Sequence, residues 1–104
     1  MRDSLKHKLK SEVLELKGEH IKVVEMSLGK RLKMAQMFSN KVDFKDINFE
    51  IVFGQCFYND NSEPLFSSLD EVNEIDPLVF QLLVDKVQEL SGMSSKSVDI
   101  AKKN

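Results

Sequence analysis

The sequence has no tryptophan, one cysteine, two prolines, four glycines and only two arginines, Arg2 and Arg31. A lone Cys56 cannot close an intrachain disulfide. With His7 and His20 the only histidines, and both distant in sequence, it also makes no zinc site. Gly18, Gly29, Gly54 and Gly92 stand singly, so there is no glycine-rich phosphate loop and nucleotide chemistry has no support. No apolar run approaches the roughly 18 residues that a membrane span requires. Met1 to Lys10 is basic but lacks the apolar block and small-residue cleavage site of a secretory signal, so the expectation is a soluble protein of the cytoplasm. At 104 residues the chain has material for one domain and one modest core.

Lysine and arginine are also missing locally. Residues 46 to 85 contain none, against nine acids, whereas residues 1 to 45 hold 11 Lys/Arg against six Asp/Glu. The formal charge of -2 therefore conceals a division along the chain. Opposite patches of this kind attract copies of the chain or charged partners, and they also serve plain solvation.

The pattern of what is present predicts a mainly helical α+β domain, with an N-terminal β-hairpin packed against three to four helices. Residues 1–10 read as a basic flexible arm, 11–92 as the globular domain and 93–104 as a polar mobile tail. Leu14, Leu16, Ile21 and Val23 flank Gly18 with strand spacing, which sets a hairpin over 12–26. Ser27 caps a helix over 28–38 with Leu28, Leu32, Ala35 and Phe38 on one face. A second helix is expected over 44–58 along Phe44, Ile47 and Ile51. The competing strand alternation Ile47, Phe49, Ile51, Phe53 is set aside because the segment is longer than an ordinary strand. Ser68-Leu69-Asp70-Glu71 has the spacing of a capping box for a short helix over 69–75. Asp76-Pro77 opens the last helix, 77–90, which Gly92 terminates.

Little of this carries reaction chemistry. Cys56 sits in an apolar segment and reads as a structural thiol. His7 and His20 stand near no acid in a recognisable active-site spacing, so the chain is expected to be no enzyme. Asp70, Glu71, Glu74 and Asp76 lack the ligand alternation of a calcium loop, and no metal or cofactor is expected. Lys30, Arg31, Lys33, Lys41 and Lys45 make a basic cluster. The acidic half and a pI of 5.7 nevertheless weigh against nucleic acid. Seven phenylalanines and five methionines supply apolar surface for a core or for a hydrophobic partner.

Two stretches resemble a known family. The first runs from Val13 to Arg31, a hairpin followed by Ser27-Leu28-Gly29-Lys30-Arg31. The second runs from Tyr58 to Gly92, with an acidic Asn59-Asp60-Asn61-Ser62-Glu63 turn, then Pro64-Leu65-Phe66, and finally Leu90-Ser91-Gly92. In this order they resemble the tail assembly chaperones of tailed phages. The resemblance implies a protein that binds and solubilises the tape measure protein and helps recruit the tail tube protein. It implies action in the host cytoplasm and absence from the mature virion. It also implies a longer frameshifted form of the same chain, which the terminal Ala101-Lys102-Lys103-Asn104 fits because Ala-Lys-Lys can be encoded by an A-rich slippery run. Pro64, Leu65, Phe66, Leu83, Val87 and Leu90 are the candidate partner-binding residues, with homo-oligomerisation expected. The basic arm and the apolar 44–58 segment have no clear counterpart in the family. The alternatives are a small virion component of the tail-completion type and a DNA-binding regulator.

Overall fold

The protein is described by a computed structural model over residues 1–92. The polar tail expected at 93–104, with its Ala101-Lys102-Lys103-Asn104 end, lies outside the described residues.

Strands β1 (Ser11–Leu16) and β2 (Glu19–Val24) form the hairpin. Its two-residue turn, Lys17-Gly18, has φ of 52° and 82°, the double positive φ that matches the right-handed twist of the flanking strands. Leu14 faces Ile21 across the hairpin. The pleat turns Ile21 and Val23 into the core, with Leu14 and Leu16 half-buried beside them. Helices α1 (Leu28–Ser39) and α2 (Phe44–Gln55) follow, then strand β3 (Cys56–Tyr58), a single turn α3 (Leu69–Val72) and α4 (Pro77–Leu90). The α+β architecture of a hairpin on helices therefore holds, with one strand more than expected.

That strand corrects the helix expected over 44–58. The helix stops at Gln55, and Cys56 to Tyr58 pair antiparallel with Val23 to Ile21, making β2 the centre of a three-stranded sheet. Three residues are too few to leave a period of two in the sequence. The open edge of β2 offers their backbone groups partners that continuing the helix would not. The Asn59 to Ser62 turn then brings the chain back. The Leu65 amide donates to the Cys56 carbonyl at 3.0 Å, and the Tyr58 amide to the Glu63 carbonyl at 2.9 Å.

α1 requires a second correction. Its buried residue is Met34, with Met37 half-buried, while Leu28, Leu32, Ala35 and Phe38 face solvent. Polar bonds set this rotation. Arg31 Nε donates to the Met26 carbonyl at 3.1 Å, and Lys30 Nζ donates to Gln55 Oε1 at 2.7 Å and to the Gly54 carbonyl at 3.2 Å. With Lys30 and Arg31 held against the body, the leucine stripe on the opposite side must point outward.

The expected capping box of α3 is half-built. The Glu71 carboxylate accepts from the Ser67 amide at 2.6 Å, one residue before Ser68, and the Ser68 hydroxyl caps nothing. Tight i to i+3 bonds prolong the turn to Ile75. Asp76 caps α4 through its own carboxylate, 2.8 Å from the Leu78 amide. Gly92, at φ 70°, follows the helix end in the left-handed conformation. Val79, Leu83, Val84 and Val87 of α4 lie against α2 and β2, completing the core.

Candidate functional site

The segment after β3 places Pro64, Leu65 and Phe66 as a wall shared by two open clefts. One, about 460 Å³, lies between the hairpin turn, Tyr58, α3 and the start of α4. Leu16, Ile21, Leu65, Phe66, Ile75 and Val79 give it an apolar interior. Lys17, Glu19, Glu71, Glu74 and Asp76 rim it. The other, about 470 Å³, is lined on the far side of the wall by Phe53, Phe57, Pro64 and Phe66.

The rim is acidic. Lys17 is the one cation among the cleft's lining residues, and its Nζ is 2.5 Å from Asp76 Oδ2, tying the hairpin turn to the N-terminus of α4. That contact, with the Leu78 amide, holds the Asp76 carboxyl below its ordinary range. The Ser67 amide does the same for Glu71. Both acids stay ionised at neutral pH, so the rim presents negative charge around apolar walls. Such a site takes an apolar side chain flanked by basic residues.

The sequence-derived candidates divide. Pro64 is exposed, Leu65 half-buried and Phe66 buried, and all three line the clefts. Leu83 and Val87 are fully enclosed in the core and offer no surface, and Leu90 is half-buried. Their regular spacing is that of a packing face. The outward face of α4 carries Leu78 and Leu82 instead.

A cluster missed in the sequence lies at the other end of β2. Glu25 is 1% exposed, and its carboxylate accepts from the Lys10 amide at 2.7 Å, from Arg31 Nη2 at 2.9 Å and from the His7 ring. The Glu25 amide in turn donates to the Lys10 carbonyl at 2.9 Å. Burial pushes this carboxyl up, but the Lys10 amide, His7 and Arg31 outweigh it and the group titrates below its ordinary value. The residues read as a flexible arm are thus fastened to the domain at His7 and Lys10. His7 and Glu25 are 18 residues apart, a separation that no local motif records.

Cys56 is enclosed in the core, and burial pushes its thiol up to about 12, so it is neutral at physiological pH. Among the described residues no three His, Cys, Asp or Glu side chains converge as a metal site. Among them, too, no helix is long and apolar enough to cross a membrane.

No protein-family model matches the chain, and no solved structure matches it. Among curated proteins it is similar to a GDSL esterase/lipase of Arabidopsis thaliana, with 32% identity over 99 residues. The likeness covers 86% of this chain, and the chain spans only 25% of that protein's length. The expectation that the chain is no enzyme is corrected by this finding, because the similar protein bears the name of an enzyme.

Proposed function

We propose that this protein is a tail assembly chaperone of a tailed phage, and that it holds segments of the tape measure protein by seating apolar side chains in the cleft beside Leu65 and Phe66. The observation that carries the reading is the position of that cleft. It opens between the two stretches, Val13 to Arg31 and Tyr58 to Gly92, that resemble the family, and it combines apolar walls with an acidic rim. An open site suits a chaperone, which must bind adaptably and release its client later. The tail tube protein is the second partner, and a longer frameshifted form of the chain the third. The site of action is the host cytoplasm, with the protein absent from finished virions.

Co-expression tests this reading. The tape measure protein encoded beside this chain should become soluble and co-purify with the wild type. Ile75→Glu, which places a further carboxylate in the cleft, should reduce recovery several-fold while the variant stays folded. A client that remains insoluble beside the wild type, or that is recovered equally with Ile75→Glu, refutes the assignment.

A second reading, ester hydrolysis, is favoured by the similarity to the plant esterase/lipase and by the His7–Glu25 pair. Ser4, in the turn Asp3–Leu5, precedes His7 by three residues and is the nearest hydroxyl to it in sequence. Release of p-nitrophenolate from a short-chain ester, lost on Ser4→Ala and on His7→Ala, would support it. Turnover unchanged by both substitutions would eliminate it.

A further inference from the structure

Two helices of this domain expose leucines in pairs one turn apart. On α1, Leu28 is 73% and Leu32 62% exposed; on α4, Leu78 is 76% and Leu82 49% exposed. A single exposed leucine is ordinary, but paired leucines on the outer face of a helix form a patch that marks an interaction surface.

The two patches carry opposite charge. α1 contains Lys30, Arg31 and Lys33 and no carboxylate. Lys33, adjacent to Leu32, forms no ion pair among the described residues, and Arg31 meets its carboxylate partner on the inner side, at Glu25. On α4 the line of Leu78 and Leu82 continues through Asp85 and Glu89 at helical spacing. Glu12 of β1 joins this end, where Glu12 and Glu89 share the single ammonium of Lys86 at 2.6 and 3.0 Å. Asp85 is met only by the neutral amide of Gln81, at 2.8 Å. An apolar pair beside an unpaired cation therefore stands on one side of the chain, and an apolar pair beside excess carboxylate on another.

We propose that the outer face of α1 docks on the outer face of α4 of a second copy of this chain. Leu28 and Leu32 pack against Leu78 and Leu82, and Lys33 lies in the field of Asp85 and Glu89. The two surfaces differ, so the contact is heterologous. After one contact forms, one copy keeps its α4 face free and the other its α1 face, so the assembly grows into a ring or an open filament. Charge complementarity selects this pairing, since α1 on α1 would oppose cations and α4 on α4 would oppose carboxylates. None of the four leucines lines the cleft, and the contact stands whether or not the chaperone reading does.

Sedimentation velocity on three full-length proteins tests it. The wild type should show species larger than its 11.9 kDa chain mass that grow with concentration and shrink as salt is raised. Leu28→Glu/Leu32→Glu and Leu78→Lys/Leu82→Lys should each be monomeric, with circular dichroism confirming that both remain folded. Their equimolar mixture should give a 1:1 heterodimer and nothing larger, because each retains the face that the other has lost. If either double variant is unfolded, the single changes Lys33→Glu and Asp85→Lys replace it in the same mixing scheme. A wild type that is monomeric throughout overturns the proposal. Assembly lost in only one variant, or variants that fail to pair, overturn it equally.

Discussion

Arg31 Nη2 stands 2.9 Å from the carboxylate of Glu25, a residue six positions earlier that is almost wholly buried. This pair joins three elements that have no sequence relation. Glu25 receives the N-terminal segment through Lys10 and His7, and Arg31 binds the Met26 carbonyl while it turns α1 against the body. Removing the carboxylate loses three hydrogen bonds to a charged acceptor at once, from the Lys10 amide, His7 and Arg31. Glu25→Ala should lower stability by about 2–3 kcal/mol in chemical denaturation.

The same carboxylate predicts a dependence on pH. Its folded-state pKa lies below the ordinary 4.5. A lowered carboxyl contributes stability that is present above the unfolded value and is lost as pH falls through the folded one. The deficit of Glu25→Gln against wild type should therefore be full at pH 7 and narrow below about pH 4, as the wild-type carboxyl protonates. Denaturation midpoints measured across that range check it, and a constant deficit would show that the charge contributes nothing.

Gln55, at the C-terminal end of α2, is a second buried polar anchor. Its Nε2 lies 2.9 Å from the carbonyls of both Val24 and Glu25, and its Oε1 accepts Lys30 Nζ at 2.7 Å. It thereby satisfies backbone groups where β2 ends and no ladder partner continues. Gln55→Leu should cost about 1–3 kcal/mol although it adds apolar character, because two carbonyls lose their donor. Thermal unfolding of the variant checks the sign, which burial alone would give the other way.

These two anchors also show what the sequence could convey. The hairpin around Gly18, the Asp76-Pro77 helix start and the Gly92 stop were legible because each depends on a local backbone requirement that a particular residue type meets. The leucine stripe on α1 was legible as a stripe but not as a direction. Which side of a helix faces the core was decided by Lys30 and Arg31 reaching Gln55, Met26 and Glu25, contacts that no spacing rule contains. β3 was concealed because Cys56, Phe57 and Tyr58 extend the apolar helix pattern, and only the free edge of β2 makes them a strand. Of the candidate site, Pro64 is exposed and Leu65 half-buried, while Phe66 is buried. Leu83 and Val87 were chosen for a periodicity that belongs equally to a core.

The thiol of Cys56 should be silent in the folded protein. Its pKa is raised from 9.0 to about 12 by burial. A raised pKa contributes stability that is complete below the unfolded value and is lost as pH rises through the folded one, so alkaline destabilisation should develop between about pH 9 and 12. At pH 8 a thiol reagent such as dithionitrobenzoate should react with the native chain only as fast as the core opens, and at once with one equivalent in denaturant. Rapid labelling of the native protein would contradict the enclosure of β3.

Adjacent leucines on α4 provide the sharpest separation of packing from surface. Leu83 is fully buried, whereas Leu82, about 100° away around the helix, is half-exposed. Leu83→Ala removes buried methyl groups and leaves a cavity, which should cost about 2–5 kcal/mol. Leu82→Ala should change stability by no more than about 0.5 kcal/mol, since alanine keeps helix propensity and little buried area is lost. The two substitutions should separate in the opposite order when association is measured by dilution. Leu82→Ala should weaken contacts between copies at unchanged fold, and Leu83→Ala should affect them only where the monomer itself unfolds. Equal effects of both on stability would mean that α4 is rotated from the orientation described.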